Sequence, residues 1–78
     1  MKVIFRKDKE TKEIIAFFPE TYSNGFLDSY VHIGQHSIAS IQYYKETEKA
    51  KETEYQNLLK ELYSIGYDSL KIMSKMIY

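Results

Sequence analysis

Val3 to Arg6 and Glu13 to Phe18 are two short runs rich in Val, Ile and Phe, joined by the charged segment Lys7 to Lys12. β-Branched and aromatic residues suit a pleated surface, so the pair predicts a β-hairpin with a loop longer than the tightest turns. Pro19 lacks an N–H for the ladder and is expected to end the second strand. Tyr22-Ser23-Asn24-Gly25 then supplies turn chemistry, since Asn-Gly takes positive φ at low cost. From Leu27 to Ile33 polarity alternates, with Leu27, Val31 and Ile33 on one face and Asp28, Tyr30 and His32 on the other. That period predicts a third strand with a polar outer face. Ile38 to Tyr44 fits both periods and is read as a short strand or extended segment.

Tyr55, Leu58, Leu59 and Leu62 recur at i, i+3, i+4 and i+7, which predicts a helix from about Lys51 to Ile65. Glu52 and Glu54 fall in its first turn, where the helix dipole favours negative charge, and Gly66 follows as a stop. Leu70 to Ile77 alternates again and predicts a strand returning to the sheet. The expected fold is a single α+β domain over residues 1–78, a small antiparallel-rich sheet in the order ββ(β)αβ with one helix packed on one face. Ile4, Ile15, Phe17 and Met73 oppose Val3, Phe5, Ile14, Phe18 and Ile72 across their strands, so both sheet faces are apolar. One helix covers one face. Either the sheet curls around its own core or another copy covers the second face, and the small size favours a homodimer or higher oligomer.

A chain of 78 residues buries only about 60% of its unfolded surface, and with no cysteine it has no disulfide or thiolate metal site to support it. Eleven basic and eleven acidic residues cancel, which argues against the basic field of a duplex-binding protein. The start is charged again by residue 7, and no apolar run approaches the roughly 20 residues of a membrane span. A cytoplasmic protein without a membrane partner is the expectation. Walker, G-x-G-x-x-G, G-x-S-x-G and H-E-x-x-H motifs are absent from the sequence.

The polar chemistry concentrates in residues 28–37, Asp-Ser-Tyr-Val-His-Ile-Gly-Gln-His-Ser. On a strand Tyr30 and His32 project from one face, and Gly34, Gln35 and His36 form a turn whose N–H groups suit an anion. The candidate ligand-binding residues are Arg6, Tyr30, His32, Gln35, His36 and Ser37. His32 and His36 together could act as base and acid in phosphodiester cleavage, but spacing alone does not make them converge. A metal held by His32, His36 and Asp28 lacks a further strong ligand, so neither a metal nor a cofactor is expected. Eight tyrosines and four phenylalanines exceed what a core this small hides, and Ile15, Phe17, Tyr22, Phe26, Tyr43 and Tyr44 are candidate protein-interface residues. The run Lys45 to Glu54 alternates charge and is expected to be a solvated approach to the helix.

Met-Lys-Val-Ile-Phe-Arg at the start, Ile-Ile-Ala-Phe-Phe-Pro-Glu at 14–20, Tyr-Val-His-Ile-Gly-Gln-His-Ser at 30–37 and Leu-Tyr-Ser-Ile-Gly-Tyr at 62–67 resemble a family of small, largely uncharacterised phage and bacterial proteins. The resemblance implies a setting and no catalytic residue: a counter-defence factor in the host cytoplasm. The expected function is therefore a non-catalytic binding protein, an oligomer that sequesters a small anionic, nucleotide-like ligand in the manner of a sponge. The alternative is a stoichiometric inhibitor of a host defence protein, and the third reading is a phosphodiesterase or nuclease using His32 and His36.

Overall fold

The computed structural model describes residues 1–31 and 35–74, which form an α+β fold with one main helix on a six-stranded, largely antiparallel sheet. The strands are β1 (Lys2–Lys7), β2 (Ile14–Ser23), β3 (Phe26–Val31), β4 (Gln35–Ser40), β5 (Glu48–Lys49) and β6 (Lys71–Met73). The helices are α1 (Ile41–Glu46) and α2 (Glu52–Ser64). β4, β3, β2 and β1 lie side by side as an antiparallel meander. The outer side of β1 is shared: β5 pairs antiparallel with Arg6 and Lys7, and β6 pairs parallel with Lys2 to Ile4.

The turns follow from their residues. Asp8 accepts the N–H groups of Glu10 and Thr11 at 2.8 and 2.9 Å, which closes the β1–β2 loop as an Asx-type turn. Asn24 and Gly25 both have positive φ, 51° and 85°, as a two-residue type I′ hairpin turn requires. Pro19 does not end β2. The strand continues through it to Ser23, and the ladder with β3 shifts register between Phe18 and Ser23, where a residue without an N–H is tolerated. The Thr21 hydroxyl bridges that irregularity, donating to the Phe18 carbonyl and accepting the Asp28 N–H, both at 2.7 Å.

The sheet buries both faces. Against α2 lie Val3, Phe5, Ala16, Phe18, Tyr30 and Ala50, packed on Leu58 and Leu62, and Tyr55 stacks on Phe5 with ring centroids 4.4 Å apart. On the opposite face Ile4, Ile15, Phe17 and Leu27 pack with Tyr44, with Ile41, Tyr43 and Met73 beside them. The chain's own α1 therefore covers part of the second face. Residues 38–44 are accordingly split: β4 carries the chain to Ser40, whose hydroxyl accepts the Tyr43 N–H at 3.0 Å as an N-cap, and α1 turns it over the sheet.

The charged run 45–54 is more than a solvated approach. Thr47 and Ala50 within it are buried, and Glu48 and Lys49 form β5. Glu54 fixes the start of α2 twice, accepting the Lys51 N–H at 2.8 Å and the Lys7 ammonium at 2.5 Å. The last strand is shorter than predicted, Lys71–Met73, and residues 75–77 of the predicted strand lie outside the described residues.

Candidate functional site

The β3–β4 ladder pairs Tyr30 with His36, Ser29 with Ser37 and Val31 with Gln35. Directly paired residues share a face, so the polar cluster divides between the two sides of the sheet. Tyr30 and His36 face α2, whereas Ser29, Val31, Gln35 and Ser37 face α1. His32 and Gly34 lie outside the described residues, whereas Gln35 and His36, expected in a turn that offers its N–H groups to an anion, belong to strand β4 and pair with Val31 and Tyr30.

Tyr30 is not on a polar outer face. It is fully buried against α2, its hydroxyl donates to the Glu61 carboxylate, and its ring meets the His36 ring edge-on at 4.7 Å. A buried phenol is stable there because the Glu61 carboxylate accepts its hydrogen bond, which leaves Tyr30 a core residue. His36 is exposed, with Nε2 3.0 Å from the Tyr67 hydroxyl, and Tyr67 in turn stacks on Phe18. Arg6 is held by groups of the chain itself. Its Nε donates to Thr47 Oγ1 at 3.0 Å, its terminal nitrogen to the Thr47 carbonyl, and its guanidinium lies 5.1 Å from the centre of the Tyr44 ring. It fastens the end of α1 to the sheet.

Three of the six candidate interface residues are also core. Ile15, Phe17 and Tyr44 are buried, with Tyr44 set edge-on to Phe17 at 5.2 Å. Tyr22 and Phe26 are exposed at the β2–β3 turn, and Tyr43 is half-buried.

α1 closes only part of its face. Beside it a trough of about 570 Å³ remains over β3 and β4. Ile15 and Val31 give it an apolar floor; Ser29, Gln35 and Ser37 supply hydroxyl and amide groups; Glu13 and Tyr43 stand at its rim. The Ser29 hydroxyl is 3.4 Å from the Ser37 carbonyl, a long contact that leaves it able to turn toward a ligand. Of the predicted site residues the trough's lining brings together Ile15, Gln35, His36, Ser37 and Tyr43, and adds Glu13 and Ser29, while the His36 ring itself reaches Tyr67 on the other face. Ser29 carries a signal in the sequence: it shares the parity of Leu27 and Val31, a hydroxyl in an otherwise apolar stripe.

Tyr43 donates its hydroxyl to Asp8 at 2.6 Å, tying α1 to the β1–β2 loop at the trough's edge. This bond and the two loop N–H groups hold the Asp8 carboxyl at about 2, below its ordinary 3.8. Burial, and then the same bond, push the Tyr43 phenol up to about 12. Asp8 therefore adds stability that is complete above its ordinary value and lost as pH falls toward 2. Tyr43 adds stability that is complete below pH 10 and lost between 10 and 12. Comparing melting temperatures of the wild type and Tyr43→Phe across pH should show a gap that is constant near neutrality and narrows at both extremes. A gap that does not close on acidification contradicts the Asp8 pairing.

Among the described residues no group of three or more His, Cys, Asp or Glu side chains could hold a metal, and no helix is long and apolar enough to cross a membrane. No family model, no curated protein and no solved structure matches the chain.

Proposed function

We propose that the chain is a non-catalytic binding protein that captures a small polar ligand of nucleoside character in the trough beside α1. The observation that supports this reading is the trough itself, whose volume falls in the range of about 300–1,000 Å³ usual for ligand sites and whose apolar floor is ringed by Ser29, Gln35, Ser37 and Tyr43. A flat base would lie on Ile15 and Val31 while the hydroxyl and amide groups bond its edges and sugar. The anionic part of a nucleotide has weaker support, because Glu13 is the charged residue of the lining and Arg6 is engaged by Thr47. The neutral portion of such a ligand is the better fit.

Titrating labelled protein with adenosine and with adenosine monophosphate, followed by amide NMR, tests the reading. Adenosine should shift Ser29, Val31 and Ser37 at sub-millimolar concentration, the monophosphate should bind more weakly, and Ser37→Leu, which fills the trough, should abolish both responses. Amides that stay unmoved by either compound would overturn it.

A stoichiometric inhibitor of a host defence protein is the second reading, favoured by exposed Tyr22 and Phe26 at one turn. That activity would survive Ser37→Leu and fall with Phe26→Ala. The phage setting of either reading rests on the family resemblance.

A further inference from the structure

β4 forms one edge of the sheet, and its sequence Gln-His-Ser-Ile-Ala-Ser holds no charge and no proline in a chain that is 28% charged. Its register with β3 is unbroken from the Phe26–Ser40 pair to the Val31–Gln35 pair, so no bulge twists it away. These are the devices by which sheet edges are usually protected, and β4 has none of them. The opposite side of the sheet differs, since β5 and β6 both occupy the outer side of β1.

The direction of the free backbone groups can be derived. The Ile41 N–H donates to the Gly25 carbonyl at 2.8 Å in the same register as the β3–β4 ladder, which makes 25 and 41 a hydrogen-bonded pair. Alternation then assigns the backbone groups of Gln35, Ser37 and Ala39 to β3, and sends the N–H and C=O of His36 and Ile38 and the N–H of Ser40 outward, the Ser40 carbonyl being the N-cap acceptor of α1. Ile38 is also the most exposed large apolar residue among the described residues, at 69%, with Phe26 nearby at 53% on the same sheet face.

We propose that β4 pairs antiparallel with β4 of a second copy about a two-fold axis through Ile38, joining the two sheets into one. In this register Ile38 pairs with the partner's Ile38, and His36 pairs with the partner's Ser40 on either side. The two Ile38 residues bond each other in both directions, and each Ser40 N–H donates to the partner's His36 carbonyl. A register centred on Ser37 bonds only His36 with Ile38 and leaves Ser40 without a partner among the described residues. The self-complementary register also covers the exposed Ile38 side chains with each other, and no charge opposes its like across the axis. Because the axis stands perpendicular to the sheet, like faces stay on one side. The two troughs then lie next to one another across the paired edges, and the pairing holds whether or not they take a ligand.

The absence of cysteine makes the register directly testable. Native mass spectrometry of the full chain at micromolar concentration should show a dimer, and Ile38→Lys, which sets two ammonium groups against each other on the axis, should give a monomer with an unchanged circular dichroism spectrum. As a test that does not depend on that variant, Ile38→Cys should cross-link under mild oxidation. Its Cα atoms would lie roughly 5.5 Å apart, within the reach of a disulfide. Gln35→Cys, far from the axis, should remain largely uncross-linked. A wild-type monomer, a dimer indifferent to Ile38→Lys, or equal cross-linking at 35 and 38 would each overturn the proposal.

Discussion

Tyr30→Ala is expected to cost about 3–5 kcal/mol, the range for emptying a buried aromatic site, and so to unfold much of the protein. The ring is fully buried between β2 and α2, and its hydroxyl satisfies Glu61. Natural domains hold only about 0.05–0.15 kcal/mol of stability per residue, which for 78 residues leaves little beyond such a loss. Tyr30→Phe keeps the ring volume and removes the bond to Glu61, so it should cost about 1–3 kcal/mol. Urea titrations followed by circular dichroism would separate the two variants. Equal midpoints for Tyr30→Ala and Tyr30→Phe would show that the ring is not part of the core. The result also separates core from site: a residue that served a ligand would lose binding on truncation and keep the fold.

Tyr44→Ala should be comparably damaging for a different reason. Tyr44 is the residue through which α1 grips the sheet, edge-on to Phe17 and beneath the Arg6 guanidinium, while its carbonyl accepts the Thr47 hydroxyl at 2.6 Å. Removing the ring sacrifices its own burial, about 3–5 kcal/mol by analogy with other aromatic truncations, and loosens the cover over Ile4, Phe17 and Leu27. The variant should therefore bind a hydrophobic dye such as ANS under conditions where the wild type does not, and its urea midpoint should fall. Unchanged dye binding with an unchanged midpoint would mean that α1 is not what closes this face.

The contrast between the two helices explains what could be read from the sequence. α2 has 13 residues, enough for Leu58 and Leu62 to repeat on one side and for Glu52 and Glu54 to mark its start, so periodicity and end signals agree. α1 has six, too few to tell a period of 3.6 from one of 2, and its placement depends on a tertiary event, the docking of Tyr44 on Phe17. The two apolar faces of the sheet were also legible, residue by residue, because alternation assigns each side chain a side. Alternation does not say which side is inside. The period that groups Tyr30 with Asp28 and His32 predicts an outward ring, and packing against α2, where Glu61 lies 31 positions away in the chain, reverses that. The same limit applies to the trough: Gln35 and Ser37 stood out by type, but separating them from His36 needed the ladder, and Glu13 enters from another strand's end.

The two-part outer border of β1 also bears on how the chain is made. β1 to β4 form a meander of neighbours that can assemble from local contacts, the kind that closes quickly. The remaining border of β1 is supplied by Glu48–Lys49 and by Lys71–Met73, and the Lys71 N–H reaches back to the Met1 carbonyl at 2.9 Å. During synthesis from the N-terminal end, the meander therefore emerges with β1 unpaired on its outer side and with Val3, Phe5 and Phe18 lacking α2 above them. Until residue 73 has left the ribosome, the nascent chain presents an unfinished edge on both sides, and that interval is when misassembly between neighbouring chains has its best opportunity.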